Sequence, residues 1–427
     1  MLGLLELAGL VEAAGSEALL WQRLHFVRAQ FAKYKKHMTA HGSGIGFIKE
    51  YEHLAKLERK EKRPLVKLTK PILFKNRYLD IIPVEMTNVK LGLPGLPIPS
   101  PAHMAMTPPP GSDFPQTSLA ELEAMQAEAY INANYVELWT ELTYVAAQGP
   151  LPNTVLDFWK MVWQQDSAMI VMLTNLIERG IEKCHRYWPS SSNDRSGSLA
   201  LPARDNDEEA ALYAVDVGPF VVELLSQEAS QDYTLRRLRM THIESGVVKP
   251  VLQAHYTAWP DQGIPDPEPF ARFCNVIDSK LAALKPAPLI VHCSAGVGRT
   301  GVFVACHNIL QHMRNYLISG SSKMAFLFDV MGTVRRMRQH RPFMVQNADQ
   351  YRFVYLYLCA QIEAFFDSAA VSEFLATAPP GASLPVEQEE TDASSSLAAD
   401  DETDYVYEDD DLASAVAYVT GPFAHNE

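Results

Sequence analysis

Residues 288–303 read PLIVHCSAGVGRTGVF, and this stretch decides the fold. The apolar residues 289–291 predict a short buried strand, which ends at His292 and Cys293. A loop of small residues follows, and an apolar helix begins near Arg299. A turn of this kind directs successive backbone N–H groups at one point, where the positive end of the helix adds to them. The stretch therefore predicts an anion-binding loop between a strand and a helix.

Cys293 lies beneath the predicted anion site. The N–H groups that would hold an anion belong to Ser294, Ala295, Gly296, Val297, Gly298 and Arg299. We expect these donors and the Arg299 guanidinium to stabilise a thiolate on Cys293, as they do in activated cysteines. A planar guanidinium can also bind two oxygens of one phosphate, which an ammonium group cannot do. A thiolate beneath a phosphate site is a nucleophile for phosphorus.

Three other interpretations of this loop stay open from the residues alone. Residues 296–301, GVGRTG, match the dinucleotide-binding pattern GxGxxG, and an apparent second strand ends at Asp329, but that motif needs no adjacent thiol and guanidinium. A zinc site would use Cys293, His292, Cys306 and His307. These four lack the paired spacing of zinc ligands. A buried, inert cysteine would leave the arginine and the glycines of the loop without a purpose.

The segment HCSAGVGRTG resembles the HCxxGxGR[ST]G loop of the tyrosine-specific protein phosphatases of the non-receptor type. The similarity covers roughly residues 40–366, with further landmarks in the order of the family. These landmarks are GFIKEYEHL from Gly46, KNRYLDIIP from Lys75, AYINANY from Ala129, QGPLPNTVLDFW from Gln148, VMLTNLIERGIEKCHRYWP from Val171, TAWPDQGIPD from Thr257 and RPFMVQNADQYRFVY from Arg341. So many ordered motifs make a chance match negligible.

The resemblance implies a fold and an activity. The fold would be α/β, a single large domain with a twisted mixed β-sheet flanked by α-helices. The activity would be hydrolysis of phosphotyrosine in proteins through a phosphocysteine intermediate on Cys293, without a metal or a cofactor. The implied partners are phosphotyrosine-containing proteins, with signalling kinases as an expectation from the family.

The resemblance also implies catalytic residues, namely Cys293, Arg299, Asp261, Gln346, Thr300 and His292. Asp261 in the WPD segment would protonate the leaving phenolate and would then accept a proton from the hydrolytic water. Trp259 and Pro260 would support this mobile acid loop. Gln346 would position the water, and the Thr300 hydroxyl would assist breakdown of the intermediate. His292 would donate into the loop and help hold the thiolate.

Substrate-binding residues implied by the resemblance are Tyr78, Asp80, Lys183, Gln350 and the loop residues Ser294, Ala295, Gly296, Val297 and Gly298. The Tyr78 ring would line a slot so deep that phosphoserine and phosphothreonine stop short of the thiolate. Asp80 would hold backbone amides of the bound peptide, and Lys183 would contact the closed acid loop. Besides Trp259 and Pro260, the supporting residues are Glu178 and Tyr187. These two would hold Arg299 and His292 in place.

Two functions from other classes stay open beside this one. A catalytically silent phosphotyrosine-binding module would have lost the nucleophile, the acid or the arginine, and here Cys293, Asp261 and Arg299 are all present. A dual-specificity or phosphoinositide phosphatase has a shallow site, which the ring of Tyr78 opposes. Phe343 stands where some relatives have a glycine that opens a secondary groove, so we expect it to narrow that groove.

The net charge of −14 belongs to one end of the chain. Residues 386–427 hold thirteen of the 51 acidic residues and none of the 37 basic ones, so the remainder is nearly neutral. A neutral body with an acidic tail argues against a nucleic-acid partner. The odd number of cysteines favours free thiols in a reducing compartment over a disulfide framework. The acidic N-terminal segment does not have the pattern of a signal sequence. We therefore expect a cytoplasmic location, with the nucleus as the second expectation. Prolines interrupt the longest uncharged stretch, residues 91–112, so we expect no transmembrane segment.

The sequence predicts three parts. They are a helical N-terminal extension over residues 1–40, a catalytic domain over 41–366 with a Pro-rich insertion at about 90–119, and an acidic disordered tail over 367–427. We predict strands over residues 129–135, 168–174, 214–225 and 288–292, and helices over 47–57, 158–165, 270–284, 300–318 and 328–340. The tail places Tyr405 and Tyr407 among acidic residues, so we hypothesise that it enters the active-site cleft or is itself a substrate.

Overall fold

The computed structural model describes residues 7–40, 44–92, 119–190, 213–320 and 328–382. The helices in these ranges are α1 (Leu7–Ala14), α2 (Glu17–Ala40), α3 (Ile45–Lys60), α4 (Lys70–Leu73), α5 (Leu119–Glu128), α6 (Val155–Gln164), α7 (Pro267–Leu281), α8 (Gly298–Ser319), α9 (Val330–His340), α10 (Ala348–Phe366) and α11 (Ala369–Ala376). Most of the predicted Pro-rich insertion and the tyrosines of the acidic tail lie outside the described residues.

The strands form a large mixed sheet. They are β1 (Asn88–Lys90), β2 (Tyr130–Val136), β3 (Tyr144–Ala147), β4 (Met169–Met172), β5 (Ile177–Glu178), β6 (Ile181–Glu182), β7 (Tyr213–Val217), β8 (Phe220–Ala229), β9 (Tyr233–His242), β10 (Val248–Tyr256) and β11 (Leu289–His292). Nine of them pair in the order β1-β2-β3-β11-β4-β10-β9-β8-β7, while β5 and β6 form a separate hairpin. This mixed sheet with flanking helices confirms the predicted α/β fold.

Strand β11 lies in the interior of the sheet, in parallel pairing with β3 on one side and β4 on the other. Successive side chains of a strand point to opposite faces. Accordingly, Leu289 and Val291 join the hydrophobic core on one face, while Ile290 joins the core on the other. With both faces buried, the end of β11 is a fixed point from which the predicted anion-binding loop begins.

Polar side chains fix where three of the longer helices begin. Asp266 accepts a hydrogen bond from the Glu268 N–H at the start of α7, and Asp329 accepts one from the Gly332 N–H at the start of α9. Asn347 does the same for α10, a helix that the sequence analysis did not predict. These side chains satisfy N–H groups that have no partner within the helix. The predicted helices start and end within a few residues of the observed ones.

The prediction of one strand over residues 214–225 is wrong. The segment forms the hairpin of β7 and β8, which pair antiparallel on either side of a turn at Gly218 and Pro219. Gly218 has φ of 60°, a left-handed conformation that favours glycine. The Gly-Pro pair is the turn signal inside this otherwise apolar run.

The N-terminal helices share a core with the sheet. Helix α2 buries Leu20, Leu24 and Val27, which belong to the same cluster of buried side chains as β11. The guanidinium of Arg23 donates hydrogen bonds to the carbonyls of Leu317 and Ile318, at distances of 3.0 Å and 2.6 Å. These are among the last carbonyls of α8, where a cation also interacts favourably with the helix dipole. Residues 7–40 are therefore part of the frame that supports α8.

The prediction that the chain is disordered from residue 367 is wrong for residues 369–376. They form α11, which packs against α2 and α10. Val371 and Leu375 of α11 are buried in the same core as α2. The acidic part of the predicted tail, from residue 383 onward, lies outside the described residues.

None of the described helices is by itself long and apolar enough to cross a membrane. Helices α10 and α11 meet that test only when taken together, and they are bent by 63° at the break between them. Both contribute side chains to the hydrophobic core.

Two adjacent leucines test whether α2 belongs to the folding unit. Leu20 is fully buried, whereas Leu19 is 44% exposed. We expect Leu20→Ala to lower the free energy of unfolding by about 2–5 kcal/mol, because it leaves a cavity in the shared core. Leu19→Ala should change it by no more than about 0.5 kcal/mol. Urea denaturation followed by tryptophan fluorescence measures both. Equal stabilities of the two variants would mean that α2 does not contribute to the core.

Candidate active site

The loop after β11 has a single permitted backbone path. Gly296 has φ of 72°, and a Cβ added there would lie 2.1 Å from the backbone oxygen of Ala147 in β3. Such a distance excludes any side chain, so only glycine fits. The Gly296 N–H points back at Cys293 and donates to its Sγ at 3.3 Å. Cys293 is 4% exposed and lines a cavity.

This cavity has a volume of about 330 Å³. The predicted site residues that line it are Tyr78, Asp80, Glu178, Lys183, Asp261, Cys293, Ser294, Ala295, Gly298, Arg299, Gln346 and Gln350. Four further lining residues, Ile81, Thr174, Gly263 and Asn347, were not predicted. The predicted residues His292, Gly296, Val297, Thr300, Trp259, Pro260 and Tyr187 lie around the cavity without lining it. Segments far apart in the sequence therefore meet at one thiol.

Arg299 is held at the wall of the cavity by a buried carboxylate. Its two terminal nitrogens donate to the two oxygens of Glu178 at 2.5 Å and 2.9 Å. The Glu178 side chain also accepts from the Thr174 hydroxyl at 3.0 Å and the Asn175 N–H at 3.3 Å. A bidentate pair of this kind fixes the plane of the guanidinium. Arg299 is thus oriented before any anion binds.

The charge of Glu178 follows from these contacts. Burial by itself raises the pKa of the Glu178 carboxyl. The hydrogen bonds and the charge of Arg299 act in the other direction, as do the donors from Thr174 and Asn175. The result is a pKa below the ordinary value of Glu, so the carboxylate is ionised at neutral pH.

His292 is a neutral hydrogen-bonding group. Burial lowers the pKa of His292 to about 3, although its bond to the Cys293 backbone opposes that shift. One ring nitrogen, Nδ1, lies 3.1 Å from the carbonyl oxygen of Cys293, and the other, Nε2, lies 2.8 Å from the hydroxyl of Tyr187. The predicted contact between Tyr187 and His292 is therefore present. An imidazolium charge next to the thiol is not.

Tyr78 forms one side of the cavity entrance. Its hydroxyl lies 2.9 Å from the hydroxyl of Ser294 in the loop. The neighbouring Arg77 donates to the carbonyls of Gly149 at 3.2 Å and Pro150 at 2.7 Å, which anchors the segment. The ring is thus fixed over the loop that holds Cys293.

The segment with Asp261 contacts Arg299 through its backbone. Trp259 is buried, and its indole N–H donates to the Gly263 carbonyl at 3.3 Å, which closes the turn around Asp261. The carbonyl of Pro260 accepts from Arg299 at 3.3 Å, and the Arg299 guanidinium lies 5.6 Å from the centre of the Trp259 ring. Asp261 itself is exposed at the cavity.

The loop before α10 carries Gln346 and is strained. Phe343 and Val345 have φ of 61° and 59°, values that side chains of this size rarely adopt. Arg338 donates to the carbonyl of Val345 at 2.9 Å, and the Val345 N–H donates to the Val297 carbonyl at 3.1 Å. Strain of this kind persists only where surrounding contacts impose it. The loop is thereby tied to the thiol loop.

Gln346, Gln350 and Thr300 differ in their contacts. A Cβ on Gly298 would lie 3.1 Å from the side chains of both glutamines, and the Gln346 N–H donates to the Gln350 side chain at 2.9 Å. The glutamines therefore lie against the first turn of α8. The Thr300 hydroxyl is buried and has no hydrogen-bond partner within the described ranges, so its predicted role stays a prediction.

The groove that Phe343 would narrow is also a prediction, since its ring does not line the cavity.

Arg341 supports the thiol loop from behind, and the sequence analysis missed it. Its fully buried guanidinium donates to the carbonyls of Gly296 at 2.9 Å and Ala295 at 3.0 Å. It also donates to the side chains of Asn134 and Asn132 in β2. Because a guanidinium only donates, it suits a site where several oxygens converge. Its place in the motif RPFMVQNADQ was the only signal available.

Within the described part of the chain, no group of three or more His, Cys, Asp or Glu side chains is arranged to hold a metal ion. The Arg299 guanidinium and the backbone amides of the thiol loop supply positive potential at the cavity.

Comparisons with known proteins agree with this geometry. The family described as protein-tyrosine phosphatase matches residues 73–360. The chain is 31% identical over 327 residues to human receptor-type tyrosine-protein phosphatase eta, covering 76% of this chain and 20% of the relative. It is 38% identical over 234 residues to mouse tyrosine-protein phosphatase non-receptor type 4, covering 53% of this chain and 22% of the relative. The chain thus spans about a fifth of the length of these relatives.

The Glu178–Arg299 pair predicts a pH-dependent stability. Because the folded-state pKa of Glu178 is depressed, its stabilisation is present above about pH 4.5 and is lost as the pH falls through the folded-state value. At pH 7, Glu178→Gln should lower the free energy of unfolding by about 1.5–3 kcal/mol, the usual contribution of hydrogen bonds to a charged group. Urea denaturation at pH 7 and at about pH 4 measures the free energy of unfolding of Glu178→Gln and of wild type. The difference between the two proteins should be smaller at the lower pH.

Glu182 in the same hairpin provides the control. Its carboxylate is about half exposed and lies 3.6 Å from the nearest guanidinium nitrogen. Glu182→Gln should therefore change the free energy of unfolding by less than about 1 kcal/mol at either pH. A Glu178→Gln effect that stays the same at both pH values would contradict the assignment of an ionised Glu178.

Proposed function

The chain belongs to the protein-tyrosine phosphatase family, and from this premise we propose that it hydrolyses phosphotyrosine in proteins through a phosphocysteine intermediate. One observation carries the proposal: Cys293, Arg299, Asp261 and Tyr78 line the same cavity. The set combines a nucleophile, an anion-binding group, a proton donor and an aromatic wall. Inert or purely binding sites have no need for all four.

Phosphate binding uses the guanidinium and the loop amides. The phosphate of the substrate takes two hydrogen bonds from Arg299 and others from the backbone N–H groups of residues 294–299. The hydrogen bonds from these donors replace the hydrogen bonds to water that the phosphate oxygens lose on binding. The phosphorus atom then lies over the sulfur of Cys293. The bond from phosphorus to the tyrosyl oxygen points out of the cavity, toward Asp261.

In the first step, the Cys293 thiolate attacks phosphorus and forms the S–P bond. The bond between phosphorus and the tyrosyl oxygen breaks, and its electron pair goes to that oxygen. The carboxylic acid of Asp261 gives its proton to the leaving oxygen, so the dephosphorylated tyrosyl side chain of the substrate protein leaves as a neutral phenol. The enzyme then holds a phosphocysteine and an ionised Asp261.

In the second step, a water molecule attacks the phosphocysteine. The Asp261 carboxylate accepts a proton from the water, the new P–O bond forms, and the S–P bond breaks with its electron pair returning to sulfur. Inorganic phosphate leaves, and the thiolate is restored. The position of Gln346 at the cavity, packed against the first turn of α8, supports its role in holding this water.

Selectivity for phosphotyrosine rests on the depth of the slot. The Tyr78 hydroxyl lies 2.9 Å from the Ser294 hydroxyl in the thiol loop, and Tyr78 lines the same cavity as Cys293, which supports a role of the ring as a wall of the slot. A phosphotyrosine side chain is long enough to pass the Tyr78 ring and bring its phosphate to Cys293, whereas phosphoserine and phosphothreonine side chains are too short. Asp80 and Lys183 lie at the same entrance and would contact the peptide backbone and the closed acid loop. Signalling kinases as substrates remain part of this proposal.

The comparisons leave the subtype and the location as predictions. The similar proteins include both receptor-type and non-receptor-type phosphatases. Membership of the non-receptor class, and a cytoplasmic or nuclear location, therefore rest on the sequence expectation alone. A silent phosphotyrosine-binding module is the alternative, and it is disfavoured because the thiol, the acid and the arginine all line the cavity.

Hydrolysis of a phosphotyrosine peptide by the purified full chain tests the proposal. Wild type should release inorganic phosphate from this peptide and much less from the matched phosphothreonine peptide. Cys293→Ser should be inactive, because a hydroxyl is a far weaker nucleophile than a thiolate. Asp261→Asn should lower kcat by about 10²–10⁴-fold, the usual contribution of a general acid, while the peptide still binds.

Asp266 is the matched control for Asp261. It lies five residues later in the same segment, and its side chain caps α7. Asp266→Asn keeps a good capping residue, so kcat should stay within about twofold of wild type. Absence of phosphate release by wild type would contradict the proposed function. Equal losses from the two aspartate variants would contradict the role of Asp261.

We also propose that the acidic tail competes with substrates, with Tyr405 or Tyr407 as its contact. Its charge and its tyrosines resemble an acidic substrate peptide, and Arg299 and Lys183 at the cavity are complementary charges for such a segment. A chain that ends at Leu384 keeps α11 in the core and removes the acidic residues. That chain should have a lower KM than the full chain at low salt, and the difference should shrink as salt is added.

The full chain with Tyr405→Phe and Tyr407→Phe separates tyrosine from charge. If the tyrosines make the contact, this variant should behave like the shortened chain. If charge alone makes it, the variant should behave like wild type. Identical kinetics of the full and shortened chains at every salt concentration would contradict competition by the tail.

A further inference from the structure

Glu58 on α3 contacts the loop that carries Gln346. This loop joins α9 to α10, whereas α3 lies before the region that the family match covers. In the proposed mechanism Gln346 holds the hydrolytic water, and Glu58 has no assigned part. A contact that fixes this loop would therefore bear on the second chemical step.

The loop holds two residues in an unfavourable backbone conformation just before Gln346. Phe343 and Val345 have φ of 61° and 59°, in the left-handed region that large side chains rarely adopt. Contacts from neighbouring segments must compensate this strain, because the loop would otherwise relax to another path. A relaxed loop would move Gln346, which follows Val345 directly.

Val345, the second strained residue, has several contacts of its own. Its N–H donates to the Val297 carbonyl at 3.1 Å, and its carbonyl accepts from Arg338 at 2.9 Å and from the Tyr51 hydroxyl at 3.3 Å. Arg338 also donates to the Met344 carbonyl at 3.0 Å. The end of the loop is thus bound from three directions.

Phe343, the first strained residue, is held by Glu58. Its N–H donates to Oε1 of Glu58 at 3.2 Å. The other carboxylate oxygen, Oε2, accepts from Nη1 of Arg338 at 3.1 Å. Because Arg338 is 3% exposed, Glu58 also supplies the counter-charge that a buried cation needs. One carboxylate therefore holds both the start of the loop and the guanidinium that binds its later carbonyls.

A single face of α3 makes these contacts. Tyr51 and Glu58 are seven residues apart, which places them two turns apart on the same side of the helix. The Arg338 guanidinium lies 5.0 Å from the centre of the Tyr51 ring, a cation–π distance. Phe47 and Leu54 of α3 are buried in the hydrophobic core, so the helix is a fixed support for the loop.

We propose that Glu58 is a positioning residue for hydrolysis of the phosphocysteine, because it holds the strained loop in the path that places Gln346 at the cavity. This inference rests on the proposed phosphatase activity for its kinetic consequence. The hold of Glu58 on the Phe343 N–H does not depend on that activity, since it is a property of the substrate-free protein.

Two variants of the full chain weaken the contact to different degrees. Glu58→Ala removes both acceptor oxygens, whereas Glu58→Gln keeps one oxygen, which can face only one of the two donors. Amide hydrogen exchange of the substrate-free protein, followed by NMR, reports on the Phe343 N–H. We expect this amide to exchange at least about tenfold faster in Glu58→Ala than in wild type, because it has lost its acceptor.

Rapid-mixing kinetics with an aryl phosphate separate the two chemical steps. The first step releases the phenol, and the second releases inorganic phosphate. Glu58→Ala should lower the rate constant of the second step by about tenfold, the effect of one hydrogen bond, and that of the first step by less than about twofold. Phenol should then appear in a burst before the steady state. Glu58→Gln should fall between wild type and Glu58→Ala.

A second change tests whether Glu58 acts through Gln346. Gln346→Ala removes the side chain that is proposed to hold the water, so it should slow the second step by itself. Glu58→Ala added to Gln346→Ala should slow that step no further, because the loop then has no glutamine to position. An equal loss from Glu58→Ala in both backgrounds would contradict action through Gln346.

Glu61→Gln is the matched control at the end of the same helix. The Glu61 side chain is 25% exposed against 19% for Glu58, and Glu61 also pairs with an arginine of α9, Arg335, at 2.7 Å. Its other partners, Arg63 and Gln339, lie outside the loop as well. Glu61→Gln should leave amide exchange in the loop and both rate constants unchanged.

Unchanged exchange of the Phe343 amide in Glu58→Ala would overturn the proposal, and so would an unchanged second step where wild type is active. Faster exchange in Glu58→Ala, together with a wild type that releases no phosphate, would instead contradict the proposed function alone. If Glu58→Ala does not fold, the rate constant of the second step in Glu58→Gln decides the question.

Discussion

The site depends on the close contact between the backbone of the thiol loop and strand β3. A side chain at Gly296 would overlap the Ala147 carbonyl, so the loop can approach β3 only as glycine. On its other side, the Arg341 guanidinium binds the carbonyls of Ala295 and Gly296. Held from both directions, the loop has one shape. That shape places the sulfur of Cys293 and the first turn of α8 at the same cavity, and every other group of the site is arranged around it.

Two cationic side chains, Arg299 and Lys183, line the cavity. Arg299 is oriented by the ionised Glu178, whereas burial lowers the pKa of His292 to about 3 and keeps that ring neutral. The sequence analysis expected His292 to help hold the thiolate. In the structure it acts on the Cys293 carbonyl instead, and so it shapes the loop rather than adding charge to it. A guanidinium held in one orientation beside aligned amides suits a doubly charged phosphate, because the bound anion finds its donors already in place.

Local sequence predicted the centre of the site well and its supports poorly. Strand β11, the loop and α8 are contiguous, so their apolar pattern and small residues were sufficient to predict them. Tyr78 and Asp261 could be assigned only by resemblance, because it is the tertiary structure that brings them to the same cavity as Cys293. Arg341 was missed for the same reason: an arginine in a motif gives no sign of which carbonyl it will reach. Helix α11 was missed because the chain after Asp367 as a whole turns to Ala, Ser, Pro and acidic residues, and because so short a helix depends on packing, here against α2.

The frame of the site extends beyond the region that the family match covers. The family match covers residues 73–360, whereas α2 and α11 lie outside it and bury side chains in the same core as β11. Helix α8 connects the two regions: its N-terminus, at Gly298, lies at the cavity, and its C-terminal carbonyls are capped by Arg23 from α2. Because a buried helix moves as one body, whatever holds its far end also limits how its first turn can shift. The N-terminal helices are for this reason part of the machinery that fixes the phosphate site, although none of their side chains reaches it.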